Sequence, residues 1–185
     1  MARVIIVGDG PAGLSAALFL ARADHEVVLF AQNATALHYA LLHNYLGIPE
    51  MAGTAFQRIA LDQVADAGAE IREAEVTAAR VEGDGVVVEV ADAGVERADH
   101  LILAGGKPAQ RLADEVGAER SGGKVVIDPE YRTTVDRVYA VGRVARPNRS
   151  QAIISAGAGA TAALDIMARE AGRDVTDWDS PPDSD

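Results

Sequence analysis

The sequence predicts an α/β fold with a parallel central sheet, helices packed on it, and a three-stranded antiparallel β-meander. Three observations predict this. Residues 4–7 are a β-branched apolar run that leads through glycines into helix formers at residues 11–23. A second apolar run, residues 26–30, follows at once and completes a strand–helix–strand unit. Residues 76–98 then break into short β-branched runs separated by Gly/Asp turns.

The first turn carries the clearest chemistry. Gly8, Gly10 and Gly13 fall in the spacing G-x-G-x-x-G, after a strand and at the start of a helix. Gly8 lets the chain turn off the strand. Gly10 leaves room for a pyrophosphate against the backbone, and Gly13 lets helix and sheet pack closely. Pro11 stands where a helix begins, where its missing N–H costs little. The helix N-terminus offers unpaired N–H groups to phosphates. A dinucleotide site is expected here; the alternative is a tight turn without a ligand.

Composition bounds the function classes. The chain has 185 residues and is 49% hydrophobic, enough for one domain with a core. It contains no cysteine, which excludes disulfides, thiolate metal sites and a dithiol redox centre of its own. The four histidines, His25, His38, His43 and His100, lack metal-ligand spacing and read as surface or loop residues. A net charge of −11 argues against nucleic acid and anionic membranes. No secretory signal or membrane-spanning run is read, so a cytoplasmic protein is expected. Acidic residues outnumber basic ones by 28 to 17, a balance that predicts salt adaptation (a halophilic source).

After the second strand, Ala31 and Gln32 take the place where an acidic residue often holds a ribose. Residues 33–50 read as a loop with a short helical stretch. Residues 54–67 read as a helix with Phe56, Ile59, Ala60 and Val64 on one face and Gly68 as its stop. Residues 70–72, 76–81 and 86–90 read as strands, with Gly83-Asp84-Gly85 as a hairpin turn and residues 95–98 completing the meander. Residues 101–104 read as a buried strand ended by Gly105-Gly106, which permits close approach of a ligand. Residues 109–116 read as a helix, and residues 124–127 and 137–141 as strands. A polar loop, residues 143–150, carries Arg143, Arg146 and Arg149. A long Ala/Gly-rich helix follows over residues 151–171, with small residues suited to packing on a ligand or another helix. Residues 1–173 are expected to be one domain and residues 174–185, which include Trp178, an acidic disordered tail.

These landmarks resemble the thioredoxin reductase family of flavoproteins over about residues 3–170. The turn at residues 8–13 matches the family's FAD-binding turn. Residues 44–50 resemble its Asn-aromatic-x-Gly-x-Pro loop, and residues 101–106 its strand ending in Ala-Thr-Gly. Residues 138–142 are similar to its second FAD motif, and Gln151-Ala152-Ile153 to the start of its last helix. The resemblance implies a Rossmann-like FAD-binding domain alone, because the inserted NADPH domain with its Cys-x-x-Cys has no counterpart. It implies FAD contacts at Gly8, Gly10, Pro11, Ala12, Gly13, Ala31, Gln32, Asn44, Val76, Ala104, Gly105, Gly142, Arg143, Gln151 and Ala152. Gln151 and Ala152 would lie beside the flavin's pyrimidine edge. It also implies a homodimer.

Two positions depart from the family. Arg143 stands where an Asp usually accepts a bond from the ribityl chain, and Gly105 replaces the threonine. Arginine cannot accept that bond but is suited to a pyrophosphate. The expected function is a small FAD-binding oxidoreductase that passes electrons between NAD(P)H or a partner carrier and an acceptor. A self-contained thioredoxin reductase is excluded by the absence of cysteine. The alternative is a redox-inactive nucleotide-binding regulatory or assembly module. A Rossmann NAD(P)-dependent dehydrogenase fits poorly after residue 40 and lacks a Tyr-x-x-x-Lys constellation.

Overall fold

A computed structural model describes residues 1–32 and 35–175. The first unit is β1 (Arg3–Val7), α1 (Pro11–Arg22) and β2 (Glu26–Ala31). A 3₁₀ turn (Ala36–Tyr39) and a small ribbon, β3 (Leu41–Leu42) with β4 (Met51–Ala52), lead to α2 (Gly53–Asp66) and β5 (Glu70–Glu73). The meander is β6 (Val76–Glu82), β7 (Gly85–Val90) and β8 (Gly94–Ala98). Then come β9 (His100–Leu103), α3 (Lys107–Glu115), a second ribbon of β10 (Arg120–Ser121) and β11 (Lys124–Val125), β12 (Val138–Ala140) and α4 (Ala152–Ala171).

The central sheet runs β12-β9-β1-β2-β5 with every pair parallel. The meander forms its own antiparallel sheet, β6-β7-β8. Side chains alternate across the central sheet, so each strand feeds two cores. Val4, Ile6, Val27, Leu29, Ile102 and Tyr139 pack with α1 and α4. Ile5, Val28, Phe30, Leu101 and Leu103 pack on the other face with the meander and α3. The helices are therefore split between the faces: α3 shares the meander's side.

Among the small residues of α4, Gly159 serves helix packing, whereas Gly157 is exposed with open space around it. A Cβ on Gly159 would lie 2.0 Å from the Ala12 carbonyl oxygen, so the α4 backbone touches α1 directly. The helix ends at Gly172, whose φ of +63° closes it in the left-handed conformation.

Several expectations change. The strand expected over residues 124–127 is the two-residue β11, which among the described residues pairs only with β10. The helix at residues 54–67 buries Gln57 and Val64, whereas Ile59 is 42% exposed. An amide takes the inward position there because it has bonding partners in the neighbouring turns. His100 is no surface residue. It is 1% exposed on a strand buried along its whole length, with Nε2 2.9 Å from Glu170 and Nδ1 without a partner among the described residues. Burial pushes its pKa down, partly offset by the bond to Glu170. Of the acidic tail expected over residues 174–185, residues 176–185, with Trp178, lie outside the described residues.

A buried polar cluster ties α4 to the segment before β12. Asp165 accepts the Tyr139 hydroxyl at 2.7 Å and a two-point bond from Arg132, whose Nε is 2.7 Å from Oδ2. Burial pushes the Asp165 carboxyl up, but the Arg132 and Tyr139 bonds outweigh it and hold it below the ordinary range.

Candidate functional site

A cleft of about 360 Å³ opens at the carboxyl ends of the central strands. Volumes of about 300–1,000 Å³ are typical of ligand pockets. From β1 the chain crosses through α1 on one face; from β9 it leaves through α3 on the other. The loops after these adjacent strands part in opposite directions, and a crevice at such a reversal is where open α/β sheets bind ligands.

The three fingerprint glycines have separable roles. Gly8 has φ +117°, and a Cβ on it would lie 2.8 Å from the Gly105 nitrogen. A Cβ on Gly13 would lie 1.9 Å from the Gly8 carbonyl oxygen. Packing therefore demands both. Gly10 is different. Among the described residues its Cβ would meet only the Thr35 hydroxyl, at 3.4 Å, and its φ is −80°. Packing does not require glycine there; what a side chain would occupy is the cleft that Gly10 lines.

Three helices begin at this cleft. The caps of α1, α3 and α4 are Gly10, Gly106 and Gln151; all three line the cleft, and none makes a side-chain capping bond. No acidic residue occupies the first turn of any of them. Each contributes unpaired N–H groups and a partial positive charge, worth about 0.3–1 kcal/mol toward a nearby anion. Arg143 is exposed and lines the same cleft.

The structure brings together Gly8, Gly10, Pro11, Ala12, Gln32, Asn44, Val76, Ala104, Gly105, Gly142, Arg143, Gln151 and Ala152 as cleft-lining residues. Gly13 and Ala31 lie outside the lining. Gly13 is a packing glycine, and Ala31 is buried at the end of β2.

One polar chain in this site was not anticipated from the sequence. Asp9, inside the glycine turn, is 5% exposed. Its carboxylate accepts the Gln57 amide at 2.8 Å, and the same nitrogen lies 3.4 Å from the Asp9 carbonyl oxygen. The Gln57 oxygen is 2.8 Å from His38 Nε2. With the amide nitrogen committed to Asp9, that oxygen accepts, and His38 carries its proton on Nε2. The chain ties α2 and the 3₁₀ turn to the glycine turn, and with it the cleft wall formed by Leu37 and residues 40–42. No motif spacing reveals it, because its three members come from separate segments. Phe30 was missed as well; it lines the cleft and carries the Arg72 guanidinium 6.0 Å from its ring centre.

Among the described residues, no group of three His, Asp or Glu side chains could hold a metal. No helix among them is long and apolar enough to cross a membrane.

Solved structures share the fold. A thioredoxin reductase from Gloeobacter violaceus superposes with TM-score 0.85 at 20% identity, covering 96% of this chain and 98% of that chain. The atypical thioredoxin reductase TRi from Desulfovibrio vulgaris Hildenborough gives 0.81 at 17% identity, over 91% of this chain and 97% of that one. A ferredoxin-flavin thioredoxin reductase from Clostridium acetobutylicum gives 0.79 at 18% identity, over 91% and 97%. No curated protein matches the sequence. The model of the pyridine nucleotide-disulphide oxidoreductase family matches residues 2–47 and 41–160. With that match spanning most of its length, the chain belongs to the pyridine nucleotide-disulphide oxidoreductase family.

Proposed function

We propose that the cleft binds FAD noncovalently, within a unit spanning residues 1–173, and that the protein is a small flavoprotein oxidoreductase. It passes electrons between NAD(P)H or a partner carrier and an acceptor. One observation carries the reading: three uncapped helix N-termini and the side-chain-free Gly10 meet in one cleft. That combination suits a pyrophosphate-bearing ligand, which needs close backbone approach and positive potential.

FAD, when bound, supplies the redox chemistry. The chain's own residues hold and orient it. The backbone N–H groups of Gly10 and Ala12 would take the pyrophosphate beside the Pro11 ring, assisted by the Arg143 guanidinium. Gln32 offers its amide to the adenosine ribose. Asn44, Val76, Ala104, Gly105 and Gly142 wall the cleft around the remainder. Gln151 and Ala152, at the start of α4, meet the flavin, and the helix end there favours added negative charge. With no cysteine, the chain offers no dithiol of its own, so an acceptor takes electrons directly or through another chain. The Clostridium acetobutylicum structure is a ferredoxin-flavin enzyme by name, which makes a protein carrier a donor to test beside NADH and NADPH.

The test is an anaerobic titration of the FAD-loaded protein with NADH, NADPH or a reduced ferredoxin. Stoichiometric bleaching of the visible flavin band by one of them is expected. Tight nucleotide binding that no donor bleaches would replace this reading with the regulatory-module alternative.

A further inference from the structure

The loop after β12 borders two clefts. Arg143, Ser150 and Gln151 line the first; residues 145–149 line a second, of about 670 Å³, together with the second ribbon. Lys124, Arg146 and Arg149 surround this second cleft, and no Asp or Glu lines it. All three are exposed, and none pairs with a carboxylate among the described residues. Exposed Arg22, Arg58 and Arg143 also lack such a partner among the described residues, but none of them lines this cleft; here three unpaired cations share one lining, in a chain where acids outnumber bases by 28 to 17. Elsewhere on the surface Arg3, Arg72, Arg80 and Arg132 all have carboxylate partners.

The loop is fixed in place. The Arg146 N–H donates to Gly142 O at 2.8 Å, and the Arg149 N–H to Arg146 O at 3.2 Å. The Arg146 guanidinium lies 5.7 Å from the centre of the Tyr131 ring. The cations stand on the rim of an open groove. No buried, unpartnered side-chain atom among the described residues lines it, which favours a broad charged surface over an enclosed small anion.

We propose that this face docks an acidic electron-carrier protein, placing it against the loop that also walls the first cleft. The proposal deepens the flavoprotein reading and rests on it. Rim charges of this kind steer association and make it salt-dependent, and the otherwise acidic surface turns such a partner away from other approaches.

The test uses the full chain incubated with FAD and, as probe, an oxidised acidic [2Fe–2S] ferredoxin, with binding measured at low and high salt. The variant is Lys124→Glu/Arg149→Glu, which spares Arg146 and its stacking on Tyr131. Ferredoxin is expected to bind at low salt and to weaken about tenfold or more both in the variant and at high salt. FAD uptake and melting temperature are expected to stay unchanged. Equal ferredoxin affinity in wild type and variant would overturn the proposal, as would no ferredoxin binding by the FAD-loaded wild type at low salt. Saturable binding of inorganic pyrophosphate, lost in the variant while ferredoxin never binds, would also overturn it and give the cleft to a small anion. Ferredoxin docking that persists without FAD uptake would support the proposal and remove the cofactor reading alone.

Discussion

Gly10 and Gly13 look equivalent in the sequence, yet only one of them is free of the fold. Gly13→Ala forces a Cβ to within 1.9 Å of a backbone oxygen and should destabilise by about 1–3 kcal/mol or more. Gly10→Ala has room, so thermal stability should change by less than about 1 kcal/mol, most of it from the altered helix cap. FAD affinity should nevertheless fall at least about tenfold, since the added methyl enters the ligand's space. Melting curves and flavin-fluorescence titrations on the two variants check this contrast. Arg143→Ala tests the second residue-scale claim. The side chain is exposed and makes no bond to another described residue, so stability should hold. Losing a charge-assisted contact to phosphate should weaken FAD binding about tenfold.

The glycine turn was legible because the backbone conformation at Gly8 and the close packing at Gly13 hold those two positions to glycine, and Gly10 completes their spacing. Asp9, Gln57 and His38 were not, because a hydrogen-bond chain across three segments leaves no period in the sequence. Gln57→Ala would leave the buried Asp9 carboxylate without its donor, at a cost of about 1–3 kcal/mol. It would also loosen the 3₁₀ turn, so FAD affinity should fall with stability; urea unfolding and the same titration measure both.

Among elements, α1, α4 and the meander were read within a few residues of their observed limits, since each carries a long enough pattern. The ribbons β3–β4 and β10–β11 have two residues per strand, too few for alternation to show. His100 was misread for a related reason. Its strand is buried throughout, and one imidazole among apolar residues marks a turn or a core equally well. Its burial has a pH consequence. The folded pKa lies below the ordinary 6.5, so the unfolded chain binds the proton first as pH falls. The stability this group contributes is complete above that value and is lost as pH drops through its folded pKa. His25 shifts the same way, through burial and the positive N-terminus. Urea midpoints should decline on going from about pH 7 to about pH 5, and the decline should be smaller in His100→Gln. Equal slopes in the two proteins would contradict the assignment.

At the scale of the molecule, the sheet order sets the cleft and the charge sets the conditions. The parallel order β12-β9-β1-β2-β5 puts the β1 and β9 loops side by side, and three helix ends face the space between them. The sequence pattern revealed the strands but not that α3 and α4 start at the same place, because that convergence depends on which face each crossover takes. A net charge of −11 is self-repelling and is screened within about 10 Å at 0.1 M salt and about 3 Å at 1 M. The melting temperature should therefore rise with salt across that range, and a flat response would show that the exposed ion pairs already balance the repulsion.

The central claim is that the cleft holds FAD despite Arg143 and Gly105. The most direct measurement is the visible absorbance of protein purified in high salt and incubated with FAD, followed by release and identification of the bound nucleotide. A two-banded flavin spectrum with close to one FAD per chain is the predicted result. A colourless protein that does not take up added FAD would contradict the account.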